Sequence, residues 1–212
     1  MSHYYPIYVD LQNKPVLVVG GGTVAYRKVK TLLEHGAIVR IVSPKLNPDL
    51  KRLVDSVRCI WEEKEYAADD LQDALLVFSC TEIEAVNGAV AGNAKDAFRL
   101  INVVDDPEKC TFIVPSILEQ GDLSIAVSTG GSSPIVARQI RAELEKCYGE
   151  AYKDYLVLLR SWRKDVKNQL TAEQKEKFWD QVTDGGVLQL IKNGQLDDAK
   201  GVVEKCFRSL LD

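Results

Sequence analysis

The chain has 212 residues, 46% of them hydrophobic and 27% charged, an ordinary globular balance with room for one large domain or two modest ones. A net charge of −4 excludes the basic footprint of a nucleic-acid binder, so an anionic ligand needs a local positive site. Five scattered cysteines, no CxxC spacing and two early histidines argue against a disulfide framework or a metal site, and no run approaches the roughly 18 apolar residues of a membrane helix.

Met1–Asp10 has neither a basic start nor a long apolar run, so no signal peptide is expected and a reducing cytoplasm fits the composition. Pro15–Gly20 (PVLVVG) is a β-branched apolar run stopped by glycines, which predicts a strand buried on both faces. Thr23–His35 has helical spacing with Gly36 as its stop, and Ala37–Val42 predicts a second strand before the Ser43–Pro44 turn. The alternation continues with a helix over Leu46–Val54, a strand over Val57–Trp61, a buried strand over Ala74–Ser79, a helix over Ile83–Lys95 and a strand over Leu100–Val104. Such alternation predicts an α/β fold with a Rossmann-type, doubly wound parallel sheet.

The pattern changes near Asp105. Phe112–Val114, Ser116–Glu119 and Leu123–Ser128 are short apolar runs, with Gly121–Asp122 placed to turn a hairpin between the last two. A helix is expected from Pro134, capped by Ser132 or Ser133, and amphipathic helices run from Glu150 onward, one of them opened by Thr171 with Gln174 three residues later. This gives three expected parts: a nucleotide domain over 1–113, a small α+β dimerisation segment over 114–149 and an all-α domain over 150–212. The middle segment is too short to make a core alone, which points to pairing with a second copy as a homodimer.

Gly20, Gly22 and Ala25 spell G-x-G-x-x-A between a strand and a helix. In that context the first glycine allows the turn, the second lets a pyrophosphate reach the backbone and the small third residue permits close packing, while the helix start offers free N–H groups. The Asp or Glu expected at the end of the second strand to hold the ribose is replaced by Arg40, Ser43, Pro44 and Lys45. Two readings stay open there: Ser43 or backbone groups take the ribose, or Lys45 favours a 2′-phosphate and NADP. Thr81 follows the fourth strand at the ligand-facing edge, where it either contacts a ligand or caps the next helix. Asp105 ends the fifth strand in Asp-Asp-Pro, an ordinary turn sequence that also places a carboxylate able to accept a proton. Ser128, Thr129 and Gly130 lead through a small-residue loop into a helix carrying Arg138 and Arg141, a combination that either offers donors to carboxylates or forms a capped helix with solvated arginines.

The set Pro6–Tyr8, Val18–Lys28 (VVGGGTVAYRK), Asn102–Asp105, Phe112–Ser116 and Ser128–Pro134 (STGGSSP) closely resembles the precorrin-2 dehydrogenase family of sirohaem synthesis, which includes the N-terminal module of sirohaem synthase. The resemblance spans about residues 3–150. It implies NAD-dependent oxidation of precorrin-2 to sirohydrochlorin in a homodimer, with Asp105 at the family's essential aspartate. It also implies that Thr23, Val24, Pro44 and Lys45 fall on cofactor-contacting positions and that Ser128–Thr129 matches a family serine pair. With the residues read above, Gly20, Gly22, Ser43 and Thr81 complete the expected cofactor set, and Gly130 and Arg138 join Ser128 and Thr129 as the expected substrate set. Thr129 stands where the family has a second serine. Some members also insert ferrous iron, and that activity stays open here. The competing reading is a nucleotide-sensing binding module, which the fold alone permits and which has no use for a carboxylate beside the nicotinamide.

Overall fold

Val16–Val19 offers no polar face, so a strand made of it must be covered on both sides. The computed structural model, which describes residues 4–54 and 58–211, does this by placing β1 (Pro15–Val19) at the centre of a parallel sheet. The first unit, Met1–Val114, continues with α1 (Thr23–Glu34), β2 (Ile38–Val42), α2 (Pro48–Lys51), β3 (Cys59–Glu62), β4 (Leu76–Ser79), α3 (Glu84–Asp96) and β5 (Leu100–Val103). The strand order is β3-β2-β1-β4-β5, all parallel, so the chain reverses its direction of winding between β1 and β4. That reversal opens a crevice at the carboxyl ends of the strands.

Alternation along β1 divides the core. Val16 and Val18 pack with Ala25, Val29 and Leu32 of α1, whereas Leu17 and Val19 pack with Val90, Ala91 and Ala94 of α3. The helix expected over Leu46–Val54 is shorter in the structure. Asn47 accepts from the Leu50 N–H (2.7 Å) and Pro48 occupies the first helical position, so the helix cannot begin earlier, and it gives way to a turn after Lys51. Val57, expected to start the third strand, lies outside the described residues. The run Phe112–Val114 forms no strand.

The crossover from β3 to β4 carries a 3-10 turn, Ala68–Leu71, instead of a full helix. Asp70 organises it. Its carboxylate accepts from Lys64 Nζ (2.5 Å) and the Ala67 N–H (2.8 Å), with the Arg40 guanidinium 3.6 Å away. Burial works against the charged carboxylate, but these hydrogen bonds and cations outweigh it and hold Asp70 below its ordinary range. With so short a crossover, Ile38 and Ile60 remain 37% and 53% exposed.

The second unit, Pro115–Asp212, begins with the antiparallel pair β6 (Ser116–Gln120) and β7 (Leu123–Val127). The turn between them is Gly121–Asp122, with Gly121 at φ +61°, the left-handed geometry such hairpins require. α4 (Pro134–Cys147) packs on this pair and buries Ala137, while Leu118 is buried on β6. α5 (Ala151–Gln169) reaches the hairpin through Arg160, which pairs with Asp122 at 2.8 Å. It is followed by α6 (Ala172–Thr183), opened by the expected Thr171–Gln174 capping box, then α7 (Gly186–Lys192) and α8 (Leu196–Arg208). Phe178, Val182, Val203 and Phe207 centre the helical core, where Trp162 meets Phe207 at 5.0 Å between ring centroids. Among the described residues no helix is long and apolar enough to cross a membrane.

Candidate active site

The glycine loop sits where β1 hands over to α1. Gly20, at φ +115°, donates its N–H to the Val42 carbonyl (3.0 Å), and a β-carbon there would lie 2.6 Å from the Cys80 carbonyl oxygen. Gly21 is closed in as tightly: a β-carbon would overlap the Lys45 carbonyl and approach the Ser43 hydroxyl to 2.8 Å. Gly22 differs from both. It has an ordinary φ of −84°, and a β-carbon on it would meet nothing within 4 Å. It caps α1 without a side-chain hydrogen bond, and the first turn, Thr23 and Val24 included, carries no acidic residue. The result is an uncapped helix start behind an open glycine, a cradle that fits a pyrophosphate.

The loop after β2 folds back onto this cradle. The Asn47 N–H donates to the Gly21 carbonyl (2.8 Å). The Ser43 hydroxyl, buried, donates to the Lys45 carbonyl (2.8 Å) and accepts from the Lys45 N–H (3.4 Å), while the Ser43 carbonyl accepts from the Trp61 indole (2.9 Å). Ser43 therefore shapes the loop from within, and Pro44 and Lys45 stand exposed on its outside. Arg40 is turned to Glu62 (3.3 Å) and Asp70.

At the end of β4, the Thr81 hydroxyl accepts from the Ile83 N–H (3.1 Å), immediately before α3 begins at Glu84. Its carbonyl accepts from Asn87 Nδ2 (3.0 Å), and Asn87 in turn accepts from the Ser79 hydroxyl (2.7 Å). The Thr81 turn is thus locked from behind by a buried Ser79–Asn87 pair. The Cys80 thiol beside it is pushed up to about 12 by burial, a shift the nearby charge of Lys28 only partly opposes.

Beyond β5, the Val104 N–H donates to the Ser79 carbonyl (3.0 Å), and a turn closes from the Asp106 N–H to the Val103 carbonyl (3.3 Å). Asp105 occupies the third position of that turn at φ +61°, exposed. Left-handed backbone is uncommon outside glycine, and aspartate is among the residues that tolerate it. The turn reading of Asp-Asp-Pro and the presentation of a carboxylate describe the same geometry here. Asp106 lies well below the ordinary carboxylate range because Lys109 donates to it.

The first unit thus gathers Gly20, Gly22, Thr23, Val24, Ser43, Pro44, Lys45, Thr81 and Asp105 at the carboxyl ends of β1, β2, β4 and β5. The remaining candidates form their own cluster in the second unit. The Thr129 hydroxyl donates to the Ser133 carbonyl (3.0 Å) and accepts from the Ser133 N–H (3.1 Å), Ser128 accepts from the Gly130 N–H (3.1 Å), and Ser133 caps α4 by accepting from the Val136 N–H (3.3 Å). Arg138 is exposed and has no ion pair among the described residues, whereas Arg141 pairs with Glu145 at 2.8 Å. Asn47, Asn87 and Lys109 escaped the sequence reading. The Asn47-Pro48 dipeptide carried a signal, an N-cap followed by proline; Asn87 reaches back across the β4–α3 turn to Thr81 and Ser79, and Lys109 reaches 25 positions back to Glu84. Among the described residues no group of three or more His, Cys, Asp or Glu is placed to hold a metal ion.

Comparison with known proteins bears on this arrangement. An NAD(P)-binding family model matches residues 7–116, the sirohaem biosynthesis protein central model matches 120–146, and the sirohaem synthase dimerisation region matches 152–206. The chain belongs to the sirohaem synthase family. Within it, the siroheme synthase of Mannheimia succiniciproducens is 40% identical over 203 residues, covering 95% of this chain and 43% of that protein. A siroheme synthase of Neisseria meningitidis serogroup C is 36% identical over 204 residues, covering 96% and 42%. The chain therefore spans less than half the length of these sirohaem synthase relatives. A solved structure, "SirC, precorrin-2 dehydrogenase", superposes with a TM-score of 0.80 at 25% identity, covering 97% of this chain and all of that one. The first unit is the nicotinamide-dinucleotide domain of this family.

Proposed function

We propose that this protein oxidises precorrin-2 to sirohydrochlorin with NAD⁺. The observation that carries the reading is the pairing of an open pyrophosphate cradle at Gly22 with the exposed Asp105 carboxylate, both at the carboxyl edge of one sheet. Gly20, Gly22, Thr23 and Val24 hold the dinucleotide's pyrophosphate, and Pro44, Lys45 and the loop shaped by Ser43 take its adenosine end. Thr81 borders the nicotinamide end. The bound nicotinamide supplies a hydride acceptor. Asp105 takes the proton that leaves the tetrapyrrole, so precorrin-2 and NAD⁺ give sirohydrochlorin, NADH and a proton. The Ser128–Gly130 loop and Arg138 offer donors to the substrate's carboxylates.

Preference for NAD over NADP is supported by the ion pairs of Arg40, which commit that guanidinium to Glu62 and Asp70 and keep it from a 2′-phosphate. The protein is proposed to act as a homodimer. Ile117 and Ala126 oppose each other on an exposed face of the hairpin, and Ile135, Val136 and Ile140 of α4 are exposed as well. A two-stranded sheet is marginal without further cover. A cytoplasmic setting suits its five unpaired thiols.

Purified protein mixed with precorrin-2 and NAD⁺, without metal, tests the reading. Equal amounts of sirohydrochlorin and NADH are expected, with slower turnover on NADP⁺. Absence of turnover by folded protein moves the weight to a nucleotide-sensing module.

A further inference from the structure

The turn that presents Asp105 is held by a lysine with no part in cofactor or substrate binding as proposed above. Lys109 ends the 3-10 turn Pro107–Lys109 and donates both to the carboxylate of Asp106 and to that of Glu84 (2.7 Å). Glu84 is the first residue of α3, where a carboxylate is also favoured by the helix dipole. The clamp thus ties the β5 turn to the start of the helix that follows Thr81. Its two halves differ in weight. The side chains of Lys109 and Asp106 are 28% and 27% exposed, whereas that of Glu84 is 75% exposed, so solvent screens the outer contact more.

Two features make such a clamp matter to Asp105. Its left-handed backbone is a conformation that persists when surrounding contacts fix it. Its neighbour Asp106 is the next residue in the chain, so the Lys109 ion pair anchors the turn one position from Asp105. Cys110 adds a tie on the inner side, its thiol accepting from the Val103 N–H (3.2 Å) and lying 3.2 Å from the Asp106 carbonyl.

We infer that Lys109 is a positioning residue for Asp105, acting through Asp106 and secondarily through Glu84. This rests on the reading of Asp105 as proton acceptor. The test uses the full chain with precorrin-2 and NAD⁺ and compares the unaltered protein with Lys109→Ala, Lys109→Arg, Asp105→Ala and the double variant Lys109→Ala/Asp105→Ala. Lys109→Ala is expected to lower kcat about tenfold with KM for NAD⁺ within about twofold, because misplacing a reacting group acts on the chemical step. Lys109→Arg should recover most of the loss. In the Asp105→Ala background the lysine change should cost nothing further, the signature of two residues acting as one unit. Should Lys109→Ala fold poorly, Asp106→Asn removes the inner pair from the other side and must produce the same kinetic pattern.

A Lys109→Ala rate within about twofold of the unaltered protein overturns the inference, as does an equal loss in the Asp105→Ala background. If the unaltered protein has no turnover, the functional reading falls and takes this inference with it. If it turns over and the lysine change is silent, the inference alone falls.

Discussion

The Lys45 carbonyl occupies the space that a side chain at Gly21 would need, while a side chain at Gly22 would meet nothing. Three consecutive glycines therefore answer to different demands. Gly20→Ala and Gly21→Ala are expected to lower stability by about 1–3 kcal/mol, the first through a positive φ and the Cys80 carbonyl, the second through overpacking against Lys45. Gly22→Ala should leave the melting temperature unchanged and weaken NAD⁺ binding about tenfold, equivalent to about 1.4 kcal/mol. Thermal melts with and without NAD⁺ separate the two effects, and a Gly22→Ala protein that melts early would contradict the assignment of that space to a ligand.

Replacing Asp105 distinguishes an enzyme from a sensor. Asp105→Asn keeps size and the tolerance for left-handed backbone, so the turn should survive. Turnover is expected to fall by about 10²–10⁴ with NAD⁺ affinity intact, the usual worth of a positioned proton acceptor. Single-turnover rates and NAD⁺ titration by fluorescence read both quantities. A variant that turns over normally would remove Asp105 from the chemistry.

Asp70 sets an acid limit on the fold. Its carboxyl is held below the ordinary value of 3.8, with burial opposed and outweighed by the Lys64 and Ala67 hydrogen bonds and the cations around it. A carboxyl depressed in the folded state contributes stability that is complete above the unfolded value and disappears as pH falls through the folded one. Asp70→Asn should accordingly cost about 1–2 kcal/mol at pH 7, since Arg40 and Lys64 lose one of two carboxylate partners and keep Glu62. The gap between variant and unaltered protein should narrow steadily below pH 3.8 in urea melts. A gap independent of pH would show that the ion pairs contribute nothing.

Thiol chemistry should sort the cysteines by environment. Burial raises Cys59 to about 11 and Cys80 to about 12, so neither carries appreciable thiolate at neutral pH. Cys147 is exposed. Iodoacetamide at pH 7.5 is expected to label Cys147 first and to reach Cys59 and Cys80 only on unfolding, as peptide mapping would report. Early modification of Cys80 would mean that the loop behind Gly20 opens readily.

Much of the sheet was legible because each strand is a short apolar run bounded by glycine, proline or a charged turn, as in Pro15–Val19 and Leu76–Ser79. The glycine cradle was legible for the same reason: its signal lies within six consecutive residues. What escaped was carried by long-range contacts. Nothing near Lys109 in the sequence announces Glu84, 25 positions earlier, and nothing near Gly21 announces the Lys45 carbonyl. Ser43 is instructive. Its position at the end of the second strand suggested a ribose contact, but its hydroxyl is engaged with the Lys45 backbone, a use that depends on how the loop folds back. Thr129 likewise binds both backbone groups of Ser133, so the hydroxyl that serine and threonine share meets the loop's structural need.

The short crossover between β3 and β4 gives the sheet a weaker side. β3 is an edge strand paired with β2 alone, and Ile60 lies half open where a full helix would have covered it. Local opening takes the route that surrenders the least buried apolar surface. Amides of β3 should exchange with deuterium well before those of β1, so transient fraying at Cys59–Glu62 leaves the strands that hold the cradle and Asp105 intact. The sheet can breathe at its outer margin while the glycine loop and the Asp105 turn stay in place, and only the Ser43 loop, tied to Trp61, feels the motion.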